Sequence, residues 1–437
     1  ALKRRLCDAI ENRAEEMHAI GDAIWARPET GFREENTSRI VRETFAALGL
    51  PHKTGLAVTG VRADWRSGRP GPTIAVFGEL DSIILPSHPA ADPVTGAVHA
   101  CGHNAQIASM LGCAMAFVDT GIGKELAGNI AFIAVPAEEY LELEFRRGLA
   151  AEGKIEFLSG KSEMIRLGVF DDIDLALMAH TGVGRTAHAP DSMNGFVVKN
   201  VTFQGRAAHA GLAPEEGINA LKAATLAINA INAQRETFPD ADAIRVHEVI
   251  TRGGDALNVV PDVIKMQTKV RAKTVEAVLA TAKKVERCLK SGALAVGGGV
   301  EIDTLTGYLP LMSNPQLAEV FLQNARELIP GLTVSSGGHR GSSTDMGDIS
   351  QIMPAIHPHI GGAEGKLHGT DFRFADKQLA YIDTAKVLAG CLVDLLSDDA
   401  EVAERIRRDA PPTMSKDQYL AYMQDNSARE CHDFRDA

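Results

Sequence analysis

Apolar positions recur at helical spacing through Leu6, Ile10, Met17, Ile20 and Ile24, which predicts an amphipathic helix that stops before Pro28. Glu29-Thr30-Gly31-Phe32 reads as a turn. A second helix from about Thr37 carries Ile40, Val41, Phe45 and Leu48 on one side and stops at Gly49, a residue suited to a C-cap. The pattern then shortens. Thr73 to Phe77, Asn129 to Val135 and Asp174 to Met178 are brief β-branched or apolar runs with helical stretches between them, the signature of a mostly parallel α/β sheet. His99 to Gly112 carries small and apolar residues on all sides and reads as a buried helix.

From about Asn194 the rhythm changes. Phe196 to Phe203, Ile244 to Thr251 and Val263 to Arg271 read as strands, Gly217 to Ala233 and Thr274 to Lys290 as helices. Antiparallel strands on one face and two helices on the other make a separate α/β sandwich. Leu317 to Leu328 is helical again, Gly337 to Asp348 is a glycine- and serine-rich active-site loop, and Gln378 to Leu396 is a long helix before a polar tail. The expected division is 1–193 with 311–437 as one domain and 194–310 as an insertion into it.

Composition narrows the partners. With 437 residues, 45% hydrophobic and 23% charged, the chain is long enough for two or three domains with large cores. A formal charge of -12 without a long Lys/Arg block argues against nucleic acid. Cysteines at 7, 101, 113, 288, 391 and 431 are too sparse and irregular for a disulfide framework, which suggests a reducing compartment. No stretch approaches about 18 uninterrupted apolar residues, so no membrane span is expected and the location expected is cytoplasmic.

Candidate chemistry collects where strands end, as ligands do in such sheets. Glu79 and Asp81 follow the first run, Glu138 and Glu139 the second, and His180 the third. Cys101 and His103, two residues apart with a glycine between, can converge on one cation from a tight turn, or can be a small buried hydrophobe beside a hydrogen-bonded histidine. Adjacent Glu138-Glu139 is either a solvated pair or, at a strand end, one metal-binding carboxylate beside a general base. His180 is either a satisfied core histidine or a ligand.

Taken together, Pro28-Glu29-Thr30-Gly31-Phe32, Gly78-Glu79-Leu80-Asp81, Cys101-Gly102-His103-Asn104, Pro136-Ala137-Glu138-Glu139, His180, Gly205-Arg206-Ala207-Ala208-His209-Ala210, Asn258-Val259-Val260-Pro261, Ser343-Thr344-Asp345 and Leu367-His368 resemble one family over nearly the whole chain. It is the dinuclear-metal amidohydrolases and exopeptidases, including aminoacylases, auxin-conjugate hydrolases and p-aminobenzoyl-glutamate hydrolases. Cys-Gly-His-Asn and Gly-Ile-Asn-Ala-Leu look closest to the last branch.

The resemblance implies a zinc-exopeptidase-type catalytic domain with an inserted dimerisation or lid domain. It implies one or two Zn2+ or Mn2+ ions held by Cys101, His103, Glu139, His180 and His368, with Cys101 able to bridge two metals. Glu138 matches the general base, and Asp81 the acidic residue that orients ligands. His209 matches a lid histidine that reaches the site of the partner protomer to stabilise an oxyanion, which implies a homodimer. Asn258, Arg271 and Asp345 match substrate-binding positions. Two departures stand out: Asn104 and Gln106 replace Asp and His of the common motif, and a charged insertion from Tyr140 to Lys161 is expected to border the site.

The expected activity is hydrolysis of an amide C–N bond in a small carboxylate-bearing substrate. Removal of an amino group from an aromatic acid is the enzymatic alternative, and a non-catalytic binding protein is the alternative from another class. An intact Glu138 beside a full ligand set argues against the latter, since binding alone needs no base.

Overall fold

A computed structural model describes residues 1–435. The chain divides into two compact units, one built from Ala1–Asp191, Met312–Gly338 and Asp348–Lys416, the other from Ser192–Leu311, His339–Gly347 and the segment from Asp417.

In the first unit a six-stranded sheet runs in the order His52–Leu56, Gly60–Arg66, Asn129–Val135, Thr73–Glu79, Leu175–Leu177, Ala355–Ile356. The first two pairings are antiparallel and the remaining three parallel. The three runs expected as strands therefore lie side by side, and Glu79 and Val135 stand in register at their ends. Helix His103–Thr120 is buried from His103 to Phe117, as its all-round apolar sequence requires. Helices Leu2–Asn12, Ala14–Trp25 and Thr384–Leu396 share its core. A second sheet joins Thr333–Ser336, Thr186–Ala189, His359–Glu364 and Arg373–Phe374, with His180–Val183 also paired to His359–Glu364.

The second unit carries a five-stranded antiparallel sheet in the order Arg245–Arg252, Val263–Ala272, Gly195–Gln204, Gly299–Thr306, Ala428–Asp433. Helices Ala220–Gln234 and Val275–Ala295 contribute to one core with its inner face.

The structure departs from the expected pattern in four places. The first helix is two, broken at Arg13. The long C-terminal helix opens with a π-turn over Gln378–Asp383. The glycine-rich loop contains a short strand, His339–Arg340, paired with Ser192–Met193, and gives way to helix Met346–Ile352. The polar tail forms helices Glu401–Asp409 and Lys416–Asp425, then a strand that completes the second sheet instead of belonging to the first domain. That strand is held by backbone pairing and by the ion pairs Arg429–Glu301 at 2.7 Å and Lys290–Glu430 at 2.7 Å, so no apolar alternation marks it. Asp436 and Ala437, the end of the expected catalytic segment, lie outside the described residues. Among the described residues no helix is long and apolar enough to cross a membrane.

Candidate active site

Gly102 has φ +86°, a conformation that favours glycine, and a Cβ there would meet the Thr181 side chain at 2.5 Å. This turn presents Cys101 and starts the helix at His103. His103 Nδ1 donates to the Asp81 carbonyl at 2.9 Å and lies 3.3 Å from Asp81 Oδ1. Its Nε2 is buried with no hydrogen-bond partner among the described residues. Cys101 Sγ lies 3.3 Å from His180 Nε2, while His180 Nδ1 bonds the Thr181 carbonyl at 2.8 Å. In both histidines one ring nitrogen is occupied by a backbone carbonyl and the other faces the cluster, which suits ligation.

At the end of strand Asn129–Val135 the chain does not run on extended. Ala137 has φ +54°. The Ala137 amide donates to Glu34 Oε1 at 2.8 Å, and the Glu139 amide to Asp81 Oδ2 at 2.9 Å. The buried Arg146 guanidinium donates to the carbonyls of Ala137, Glu139 and Leu158. The two glutamates consequently part. Glu138 Oε2 lies 4.0 Å from His103 Nε2, and Glu139 Oε1 lies 3.1 Å from His368 Nε2. His368 adopts φ +60°, and its amide bonds the Ala100 carbonyl at 2.9 Å, which brings it beside Cys101.

Three groups of possible ligand atoms result: Cys101, His103 and His180; Cys101, Glu139 and His368; and Glu79, His103 and Glu138. Within each, the atoms lie within 4.8 Å of one another. The first two share the thiol. The cluster fits metal: the donors are a thiol, imidazoles and carboxylates, and the buried His103 Nε2 has no hydrogen-bond partner among the described residues.

The electrostatics agree. Burial, the largest influence, and Glu139 both oppose ionisation of Cys101, yet His180 and His103 bring its thiol down to about 6. Bonding to Cys101 and Glu139 lifts His368 to about 10. Burial raises Glu139, but His368 outweighs it and holds the carboxyl at about 2. The surrounding imidazoles thus draw the Cys101 thiol and the Glu139 carboxyl toward their ionised forms, the forms in which both bind metal.

Sequence reasoning assigned no role to several buried neighbours. Lys161 Nζ pairs with Glu79 Oε1 at 2.6 Å, with both side chains fully buried. Burial pushes Glu79 up, but Lys161 and His103 outweigh it and hold the carboxyl below its usual range. Gln106 donates to Glu79 Oε2 at 2.9 Å and accepts from the Glu79 amide at 3.1 Å, while Asn104 donates to the Gly21 carbonyl and Tyr381 hydroxyl. Of the two substituted motif residues, only Gln106 thus meets a carboxylate of the cluster. His357 and His359 pack on His180, with ring centroids 5.3 and 5.1 Å away. The signal for Glu79 was its place at a strand end; Lys161 and Arg146 sat in the charged insertion, where most charges face water.

The remaining expected residues lie in the second unit. His209 is exposed, and its Nδ1 accepts from the amides of Gly211 at 3.2 Å and Leu212 at 3.0 Å, which places the proton of the neutral ring on Nε2. A bridge between His209 and Val259 sets Asn258 alongside. Arg271 lies on strand Val263–Ala272, opposite Phe196 and Arg245. Asp345 is fully buried, so its carboxylate is not presented to solvent.

A mixed-sheet unit with a thiol, imidazole and carboxylate cluster at its strand ends, together with the relatives that follow, marks a metal-dependent hydrolase acting on carbon–nitrogen bonds. Residues 193–296 match the peptidase dimerisation domain. The chain is 29% identical to the human Xaa-Arg dipeptidase, covering 96% of this chain and 94% of that one. It is 26% identical to the indole-3-acetyl-aspartic acid hydrolase of Enterobacter agglomerans, over 82% of this chain and 83% of that one. A dinuclear metal-binding peptidase from Bacillus subtilis shares the fold, with a TM-score of 0.67 at 20% identity, over 88% of this chain and 99% of that one. Over most of its length the chain is thus similar to hydrolases and peptidases that act on carbon–nitrogen bonds, and it shares their fold.

Proposed function

We propose that this protein cleaves the amide bond of a small substrate bearing a carboxylate, such as a dipeptide, an N-acyl amino acid or an aryl-glutamate, with Glu138 as general base. The observation that carries this is the pair of ligand groups sharing Cys101, with the Glu138 carboxylate 4.0 Å from His103 Nε2 and outside both. Cys101, His103 and His180 would hold one divalent ion and Cys101, Glu139 and His368 a second, Zn2+ or Mn2+. Such ions polarise a carbonyl and acidify water.

Glu138 takes the proton of the attacking water and returns it to the leaving amine, with its carboxylate steered by the fixed turn at Ala137. Asp81 keeps the His103 ring and the Glu139 backbone in place. In a homodimer His209 offers Nε2–H to the oxyanion forming in the partner protomer, and Asn258 and Arg271 hold the substrate carboxylate. Pairing of protomers is supported by the edge strand Arg245–Arg252 of the second sheet, which leaves Val249 and Ile250 exposed. All six cysteines are free thiols, which supports a reducing, cytoplasmic setting.

A screen of dipeptides, N-acyl amino acids, aryl-glutamates and amino-aromatic acids, run with Mn2+ and with Zn2+, tests the reading. Cleavage of at least one amide class is expected. Ammonia release from amino-aromatic acids alone, or no turnover with either metal, would overturn it.

A further inference from the structure

The charged insertion ends by sending a lysine into the site. Gly160 opens helix Gly160–Arg166, and a Cβ there would lie 1.7 Å from the Pro136 carbonyl, so only glycine lets this segment press against the strand end. That contact carries Lys161 inward, where its side chain is fully buried and its Nζ meets Glu79 Oε1 at 2.6 Å. Glu79 is equally buried. Its other oxygen accepts from Gln106 at 2.9 Å and stands 3.2 Å from His103 Nε2. Glu79 is thus a carboxylate at ligand distance from a ring nitrogen that has no hydrogen-bond partner among the described residues, in one group with Glu138.

A carboxylate so placed has two available partners, the ammonium and a cation at His103. A hard divalent ion with an open position takes carboxylate oxygen readily. A further anionic ligand would raise the electron density at the ion and occupy the space that substrate and water need. Lys161 holds one oxygen of Glu79 and Gln106 the other, the one that faces His103, and a buried ion pair of good geometry resists opening.

We propose that Lys161 is a positioning residue that restrains Glu79 from closing onto the metal at His103, keeping that metal's coordination open for substrate. The inference rests on the metal-dependent reading above and adds a residue to it. In the intact protein Glu79 is an outer neighbour of the centre, and the price of losing Lys161 is a tighter, less reactive site.

The test is titration of metal-free protein with Mn2+ alone, followed calorimetrically, for the parent, Lys161→Met, Glu79→Gln and the Lys161→Met/Glu79→Gln double variant. Lys161→Met should bind Mn2+ about tenfold more tightly than the parent, since a nearby positive charge is removed and a carboxylate released. Adding Glu79→Gln should return the affinity to within about threefold of the parent, because the amide carries no charge. The double variant replaces the ion pair with neutral groups and should fold even where the single one does not. If Lys161→Met fails to fold, Lys161→Gln, which keeps a donor to Glu79, should still tighten binding by about threefold. Unchanged or weaker binding in the folded lysine variant, or tightening that Glu79→Gln does not reverse, overturns the role of Lys161 alone. A parent that binds no Mn2+ and no Zn2+ overturns both this inference and the metal-dependent reading.

Discussion

Cys101 Sγ and His180 Nε2 face each other at 3.3 Å, although 79 residues separate them. The helix start at His103 holds one, and the parallel pairing of His180–Val183 with His359–Glu364 holds the other. Because the thiol also belongs to the group with Glu139 and His368, it is the hinge of the whole cluster.

Replacing that hinge should therefore empty more than one position. Cys101→Ala is expected to lose bound metal, measured by elemental analysis of dialysed protein against the parent. Metal content equal to the parent's would return Cys101 to the role of a small buried side chain.

Glu138→Gln separates ligation from proton transfer. Glu138 lies outside the two groups that share the thiol, so the variant should keep its metal while turnover falls by about 10²–10⁴-fold. Kinetics and metal analysis on one preparation check this, and turnover within about tenfold of the parent would assign the base elsewhere.

His209 is tested by mixing. Neither His209→Ala nor Glu138→Gln homodimers should be active, but a heterodimer holds one site with both residues intact if the histidine acts across the interface. Random pairing makes half the molecules heterodimers with one good site of two, so activity should recover to about a quarter of the parent's. Demonstrated exchange of protomers with no recovery would confine His209 to its own chain.

Glu34 predicts a pH dependence of stability. Burial, then the nearby Asp81, raise its carboxyl from 4.5 to about 8. Between those values the folded chain holds a proton that the unfolded chain has lost, so this group's contribution falls as pH rises from about 4.5 to about 8 and is flat above. The slope is at most about 1.4 kcal/mol per pH unit. Urea midpoints of metal-free protein at pH 5.5 and 8 should fall further for the parent than for Glu34→Gln. Equal falls in both would locate the dependence in other groups.

Much of this protein is written locally. The turn at Cys101-Gly102-His103, the buried helix behind it, the three central strands and the paired Glu138-Glu139 are all patterns within a few residues, where spacing and side-chain type limit the backbone to few choices. Other features exist only because distant segments meet. Glu34 reaches the Ala137 amide across 103 residues, Lys161 reaches Glu79 across 82, and His368 enters the cluster through one bond from its amide to the Ala100 carbonyl. The closing strand Ala428–Asp433 is likewise polar and acquires its conformation from the neighbouring strand's backbone. Such contacts leave no periodic trace: a charge in a polar run looks solvated until packing removes the water. The order of residues determined which groups could bind metal and which strands would carry them, whereas tertiary packing decided which carboxylates stand at the cluster and which cation faces them, because burial turns a charge into a partner requirement.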